Sequence, residues 1–178
     1  MNSKQILTVA TILGALTVPM DYAYSKTYLT IDQAKKALYN NSAMKLVDVV
    51  LTKEQMKSIQ KASKTRVRNS KIDAYKTANG DWFILDNVIG KHENIDIAVA
   101  LSKDGKVKGI EVLVYRETYG DQIMNPKWLA QFLGRDNSEI LKLDKQIKNI
   151  SGATLSCRHI TDGVNRLTHT WDQVLRYL

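Results

Sequence analysis

The sequence predicts an α+β domain in which an antiparallel meander sheet is packed by N-terminal and C-terminal helices. Three observations predict it. Two capping boxes, Thr30-Ile31-Asp32-Gln33 and Thr52-Lys53-Glu54-Gln55, open helical patterns early in the chain. Two turn signals, Asn79-Gly80 and Asp104-Gly105, separate apolar runs in the middle. A long run with apolar residues at helical spacing closes the chain.

The first 25 residues stand apart. Met1 to Lys4 is polar with one positive charge, and Ile6 to Val18 is an apolar run broken by Pro19. Ala23-Tyr24-Ser25 places small residues where a signal peptidase reads. The pattern predicts a signal peptide over 1–25 and export of a mature chain starting at Lys26. The run is short of the ~20 residues a membrane span needs. Cys157 is the only cysteine, which excludes a lipoprotein anchor at the leader, an internal disulfide and a Cys-x-x-Cys-His haem site. The formal charge is +8, unchanged by loss of the leader, since Lys4 and Asp21 leave together. Such a balance favours acidic partners or an anionic surface. An exported chain rarely meets nucleic acid.

The mature chain divides into a helical, basic segment over 26–75 and a domain over 76–178. Ile31, Ala34 and Leu38 predict a helix over 31–39, ended by Asn40-Asn41-Ser42. Met56 and Ile59 continue a second helix to about residue 62. Lys57, Lys61, Lys64, Arg66, Arg68, Lys71 and Lys76 follow within twenty residues. They read either as a solvated face or as a docking patch for an acidic redox partner.

Asn79-Gly80 joins a strand over 72–78 to one over 82–89. Asp104-Gly105 joins 95–101 to 107–115. Ile95, Ile97, Val99 and Leu101 share one face, as do Ile110, Val112 and Val114. Val107 is out of phase with the latter set, which predicts a bulge near Gly109. Asn125-Pro126 starts a helix with the stripe Trp128, Leu129, Phe132 and Leu133, stopped by Gly134. Residues 136–150 fit neither period. A helix of about twenty residues then begins near Cys157, with Ile160, Val164, Leu167 and Trp171 in its stripe. Gly163 inside it implies a close backbone contact.

The candidate site is Ser151-Gly152-Ala153-Thr154-Leu155-Ser156, at the start of that helix. Gly152 and Ala153 let another group approach the backbone. Thr154 or Ser156 is placed to cap the helix. The first N–H groups of a helix lack intrahelical partners and favour a phosphate. A plain capped turn is the alternative.

This stretch resembles the flavinylation motif of the FMN-binding domain family, which includes exported flavin carriers and the FMN subunits of sodium-pumping NADH:quinone reductases and Rnf complexes. The strand Gly109–Tyr115 followed by Arg116-Glu117-Thr118-Tyr119-Gly120 is similar to a second stretch of that family, a strand ending in a Glu-Thr-x-Gly turn beside the flavin. The likeness covers about 82–170. It implies FMN joined by a phosphoester to Thr154, installed by a flavin transferase outside the cytoplasm. It implies cofactor contacts from Ser151, Gly152, Ala153, Leu155, Ser156, Glu117 and Gly120, with Thr118, Tyr119 and Trp128 as candidates to line the flavin ring. It further implies a periplasmic or other extracytoplasmic electron carrier with redox donor and acceptor proteins, rather than an enzyme with a substrate of its own. Noncovalent FMN, or a small-ligand sensor using the same loop, is the alternative. The chain departs from the family in having Lys148 where many members have an acidic residue. Its turn also lacks a proline before Gly120.

Other constellations are poorer. Cys157-Arg158-His159 lacks the further ligands of a zinc site. Ser156, His159 and Asp162 lie on one short stretch, whereas a working triad draws its members from separate segments.

Overall fold

A computed structural model describes residues 26–178, so the leader expected over 1–25 lies outside the described residues. The core of the fold is a six-stranded antiparallel sheet. Its strands are β1 (Lys26–Thr27), β2 (Met44–Val50), β3 (Lys71–Thr77), β4 (Trp82–Ile89), β5 (Asn94–Leu101) and β6 (Val107–Tyr115), in the order β1-β6-β5-β4-β3-β2. Apart from β1, every strand pairs with its neighbour in sequence. The helices are α1 (Ile31–Tyr39), α2 (Lys53–Ser63), α3 (Pro126–Leu129, continued as a 3-10 turn through Phe132) and α4 (Thr154–Gln173).

Both capping boxes form. The Thr30 and Thr52 hydroxyls accept from the amides of Gln33 and Gln55, whose side chains accept in return from the cap amides. Both hairpins form as well, but not as two-residue turns with two positive φ angles. Only Gly80 (φ 87°) and Gly105 (φ 80°) are left-handed, and each donates its N–H three residues back, to Thr77 and Ser102. These are longer loops in which glycine alone supplies the left-handed residue. Val107 opposes Leu101 and Gly109 opposes Ala100, which leaves Lys108 as the extra residue of the expected bulge. Leu38 of α1 packs into the space a side chain on Gly109 would fill.

The segment over 26–75 adds β1 and β2 to its two helices. All seven residues of β2 pair with β3. No buried stripe marked β2 in the sequence, because its apolar Leu46 and Val50 are 65% and 61% exposed on an edge.

The two faces of the sheet are covered unequally. α2, α3 and α4 cover the larger core, with Trp82, Ile84, Ile95, Ile97 and Val99 packed against Ile59, Ile160, Val164 and Leu167. Full burial of an aliphatic side chain contributes about 1.5–3 kcal/mol. α1 covers a smaller cluster on the other face, with Ala34, Tyr39, Phe83, Ala98, Ala100 and Leu113. Gly163 lets α4 press onto β4 and β5, since a methyl group there would lie 2.8 Å from Val88 Cγ1. Three residues further along α4, the Arg166 guanidinium donates to Asp86 Oδ2 at 2.6 Å. That packing fixes the axis of α4 and therefore the position of its first turn.

Candidate functional site

The two stretches singled out in the sequence meet at the C-terminal end of β6. Tyr115 donates its hydroxyl to the Tyr119 carbonyl at 2.5 Å and lies 3.4 Å from Ser156 Oγ. Gly120 has φ 94° and closes the turn against the loop before α4. A methyl group on it would sit 2.7 Å from the Tyr115 hydroxyl and 3.0 Å from Ala153 Cβ. Only glycine allows both the backbone angle and the approach.

Glu117 ties the same turn to the β4–β5 connection. Its Oε1 accepts from the amides of His92 at 2.6 Å and Glu93 at 3.1 Å. Burial works against the charged carboxyl, but these amides outweigh it and hold its pKa below the usual glutamate range. A lowered folded pKa stabilises the fold above the unfolded value of about 4.3, and that stabilisation disappears as pH falls through the folded pKa. Glu117→Gln is expected to destabilise the protein at pH 7, with the difference from wild type closing at acid pH. Urea denaturation at a series of pH values checks this; a pH-independent difference would refute the assignment.

Trp128 has a positioning role. It is 5% exposed, lies edge-on to Phe132 at 5.3 Å, and donates its indole N–H to the Lys148 carbonyl at 2.7 Å. Gln131 Oε1 accepts from the Lys148 amide at 2.8 Å. The backbone at 148 is thus held from both sides, while the Lys148 side chain stays exposed. Thr118 and Tyr119 are exposed, Tyr119 at 82%.

α4 starts at Thr154, three residues earlier than the sequence suggested, and neither hydroxyl caps it. The N-cap residue is Ala153, whose side chain can accept nothing. The first helical bond runs from the Cys157 amide to the Ala153 carbonyl at 2.9 Å. The amides of Thr154, Leu155 and Ser156 therefore have no intrahelical acceptor. The Ser156 hydroxyl is buried beside Tyr115. Thr154 is half-buried, and its Oγ1 accepts from Asn149 Nδ2 at 3.1 Å. Asn149 Oδ1 is buried with no partner. Ser151 and Gly152 are exposed, Leu155 is 39% exposed, and nothing lies within 4 Å of where a Gly152 side chain would begin. An uncapped amide cluster, an open glycine and a held hydroxyl fit a phosphate joined at Thr154.

Of the nearby cations, Arg116 is committed to Asp96 at 2.7 Å and to the Asn94 carbonyl at 3.0 Å. Arg158 is exposed one turn after Thr154. Cys157 is buried, and burial raises its thiol pKa, so it is not a reactive thiol. Among the described residues there is no group of three or more His, Cys, Asp or Glu side chains able to hold a metal. No helix among them is long and apolar enough to cross a membrane. Sequence reasoning missed Asn149, which lies in a stretch without periodicity, and Gln131, a polar residue between the apolar ones of the α3 stripe; their side chains act through one and two hydrogen bonds.

Loop and turn together form one surface at the end of β6 in an α+β domain. Residues 90–169 match the model of the FMN-binding domain family. The chain is also similar to a component of the ion-translocating oxidoreductase complex of Aliivibrio fischeri. It is 26% identical to that component from strain MJ11 and 25% to the one from strain ATCC 700601 / ES114. Each alignment spans 190 residues, 93% of this chain and 87% of the relative.

Proposed function

We propose that this protein is an exported electron carrier with FMN joined by a phosphoester to Thr154 Oγ1. One observation carries the reading: Thr154 is the first residue of an uncapped twenty-residue helix, with its hydroxyl held by Asn149. Bound FMN supplies the redox chemistry. The chain supplies placement. The amides of residues 154–156 and the positive end of α4 face the phosphate. Tyr115 and Ser156 brace the turn that carries Thr118 and Tyr119, and Lys148 and Arg158 add positive charge nearby. The domain match and the likeness to a component of an oxidoreductase complex support an electron-carrying role with redox partners in such a complex. The leader pattern supports export to the compartment where a flavin transferase acts.

The test is to produce the full chain, leader included, together with a flavin transferase and to recover the exported protein. Its intact mass is expected to rise by FMN less water, and its yellow colour to survive denaturation. An unmodified mass with colour lost on denaturation would leave only noncovalent binding and overturn the attachment.

A further inference from the structure

α2 carries Lys53, Lys57, Lys61 and Lys64 at spacings of four, four and three residues, which places all four within about 80° of helix arc. All are exposed, on the side of α2 away from buried Ile59 and Ser63. None is in an ion pair among the described residues. Lys64 ends the helix at φ 57°, a left-handed position where glycine costs least, so a cation stands there against the backbone's preference.

The stripe does not stop at the end of α2. Lys64 lines a surface depression of about 330 Å³ with Lys142 and Arg158, against a single acid, Asp162. Arg158 is one turn along α4 from Thr154 and lies on the same side of the helix. Positive charge therefore extends from α2 to the edge of the candidate site, with three cations to one acid lining the depression between them.

We propose that Lys57, Lys61 and Lys64, with Lys142 and Arg158, form the docking surface for an acidic partner protein and seat that partner beside Thr154. The inference rests on Thr154 as the flavin site and adds the chemistry of the partner. Charge complementarity steers such an encounter and sets its orientation. A protein fits better than a lipid surface on two grounds. The cations continue into a concavity that a projecting acidic segment can enter and a flat bilayer cannot. The exposed face of α2 also carries no large apolar side chain of the kind that inserts into lipid.

The probe is a small acidic [2Fe–2S] ferredoxin, titrated at low ionic strength against three forms of the full chain: wild type, Lys57→Glu/Lys61→Glu/Lys64→Glu, and the control Lys36→Glu/Lys45→Glu/Lys103→Glu. Both triples change net charge equally, and the control lysines are exposed and lie outside α2. The α2 triple is expected to weaken binding roughly tenfold or more, and the control roughly threefold or less. Added salt should abolish the difference. The triple Lys→Gln variant at 57, 61 and 64 gives the same test without charge reversal, should the Glu variant fail to fold. Equal losses in both triples, or none in the α2 triple, would overturn the proposal. So would phosphatidylglycerol vesicles that depend on the α2 lysines while the ferredoxin does not. Repeating the titration on Thr154→Ala protein separates the two readings, because docking needs no flavin. In the flavin-loaded protein the α2 triple should slow electron transfer from reduced ferredoxin by a similar factor; an unchanged rate would place docking elsewhere.

Discussion

Thr154→Ala, produced with a flavin transferase, is expected to fold and to carry no covalent flavin at all. The effect on attachment is complete because the attachment atom is gone. The effect on stability is small. Thr154 is half-buried and makes one side-chain hydrogen bond, with Asn149, and a bond of that kind contributes about 0.5–1.5 kcal/mol net. Alanine is also well tolerated in a helix. Two companions sharpen the result. Thr154→Ser keeps a hydroxyl on the same carbon and should retain covalent flavin. Ser156→Ala should retain it too, because that hydroxyl is buried against Tyr115. Intact mass and in-gel fluorescence under denaturing conditions read all three. A Thr154→Ala protein that keeps covalent flavin, or a Ser156→Ala protein that loses it while folded, would refute the assignment of the oxygen.

Arg166→Met is expected to produce the largest loss of stability of any single change to a charged side chain described above. Arg166 and Asp86 are paired at 2.6 Å with 18% and 12% of their side chains exposed. Burial already pushes the Asp86 carboxyl above its ordinary range, and Arg166 offsets part of that. Removing the guanidinium strands the carboxylate between β4 and α4, at a cost of about 3–5 kcal/mol. The sign with pH is fixed. A raised folded pKa means that the native state holds the proton more tightly than the unfolded chain, whose aspartate titrates near 3.9. The deficit of Arg166→Met should therefore be largest at neutral pH and shrink as pH falls and Asp86 takes up its proton. The double variant Arg166→Met/Asp86→Leu should recover most of the loss, since apolar replacement of a buried pair is often neutral. Chemical denaturation at pH 5 and pH 7 checks both statements. A deficit that grows toward acid pH would contradict them.

Much of the scaffold was legible because its signals are local. A hydroxyl with glutamine three residues on can satisfy two helix-end amides only by forming a capping box, and both such sequences formed one. The phase slip at Val107 can be absorbed only by an extra residue, and Lys108 is that residue. What escaped was set by tertiary context. β1 has two residues and no pattern to read. β2 is an edge strand that carries apolar side chains on both faces, Val47 and Val49 toward the core and Leu46 and Val50 outward, so alternation carried no sign of a buried face. The start of α4 was misplaced because Thr154 and Ser156 looked like caps, whereas the fold turns one toward Asn149 and the other toward Tyr115. In the site, the two stretches were visible as words of sequence. Their contact through Gly120 and Ala153 was not, since it depends on where α4 lands on the sheet.

The strand order has a consequence in time. β3 through β6 pair neighbour with neighbour across short connections, so each of those pairings closes a short loop of chain and can form early. The surroundings of Thr154 cannot. They need Tyr115 to meet Ser156 across 41 residues, and they need α4, the last long element, to be seated on β4 and β5. The setting of the Thr154 hydroxyl is thus among the final features to take shape as the chain folds. If flavin is joined at Thr154 as proposed, a transferase that reads this arrangement would act only on finished molecules, and the covalently yellow fraction of a preparation would count those that have completed folding.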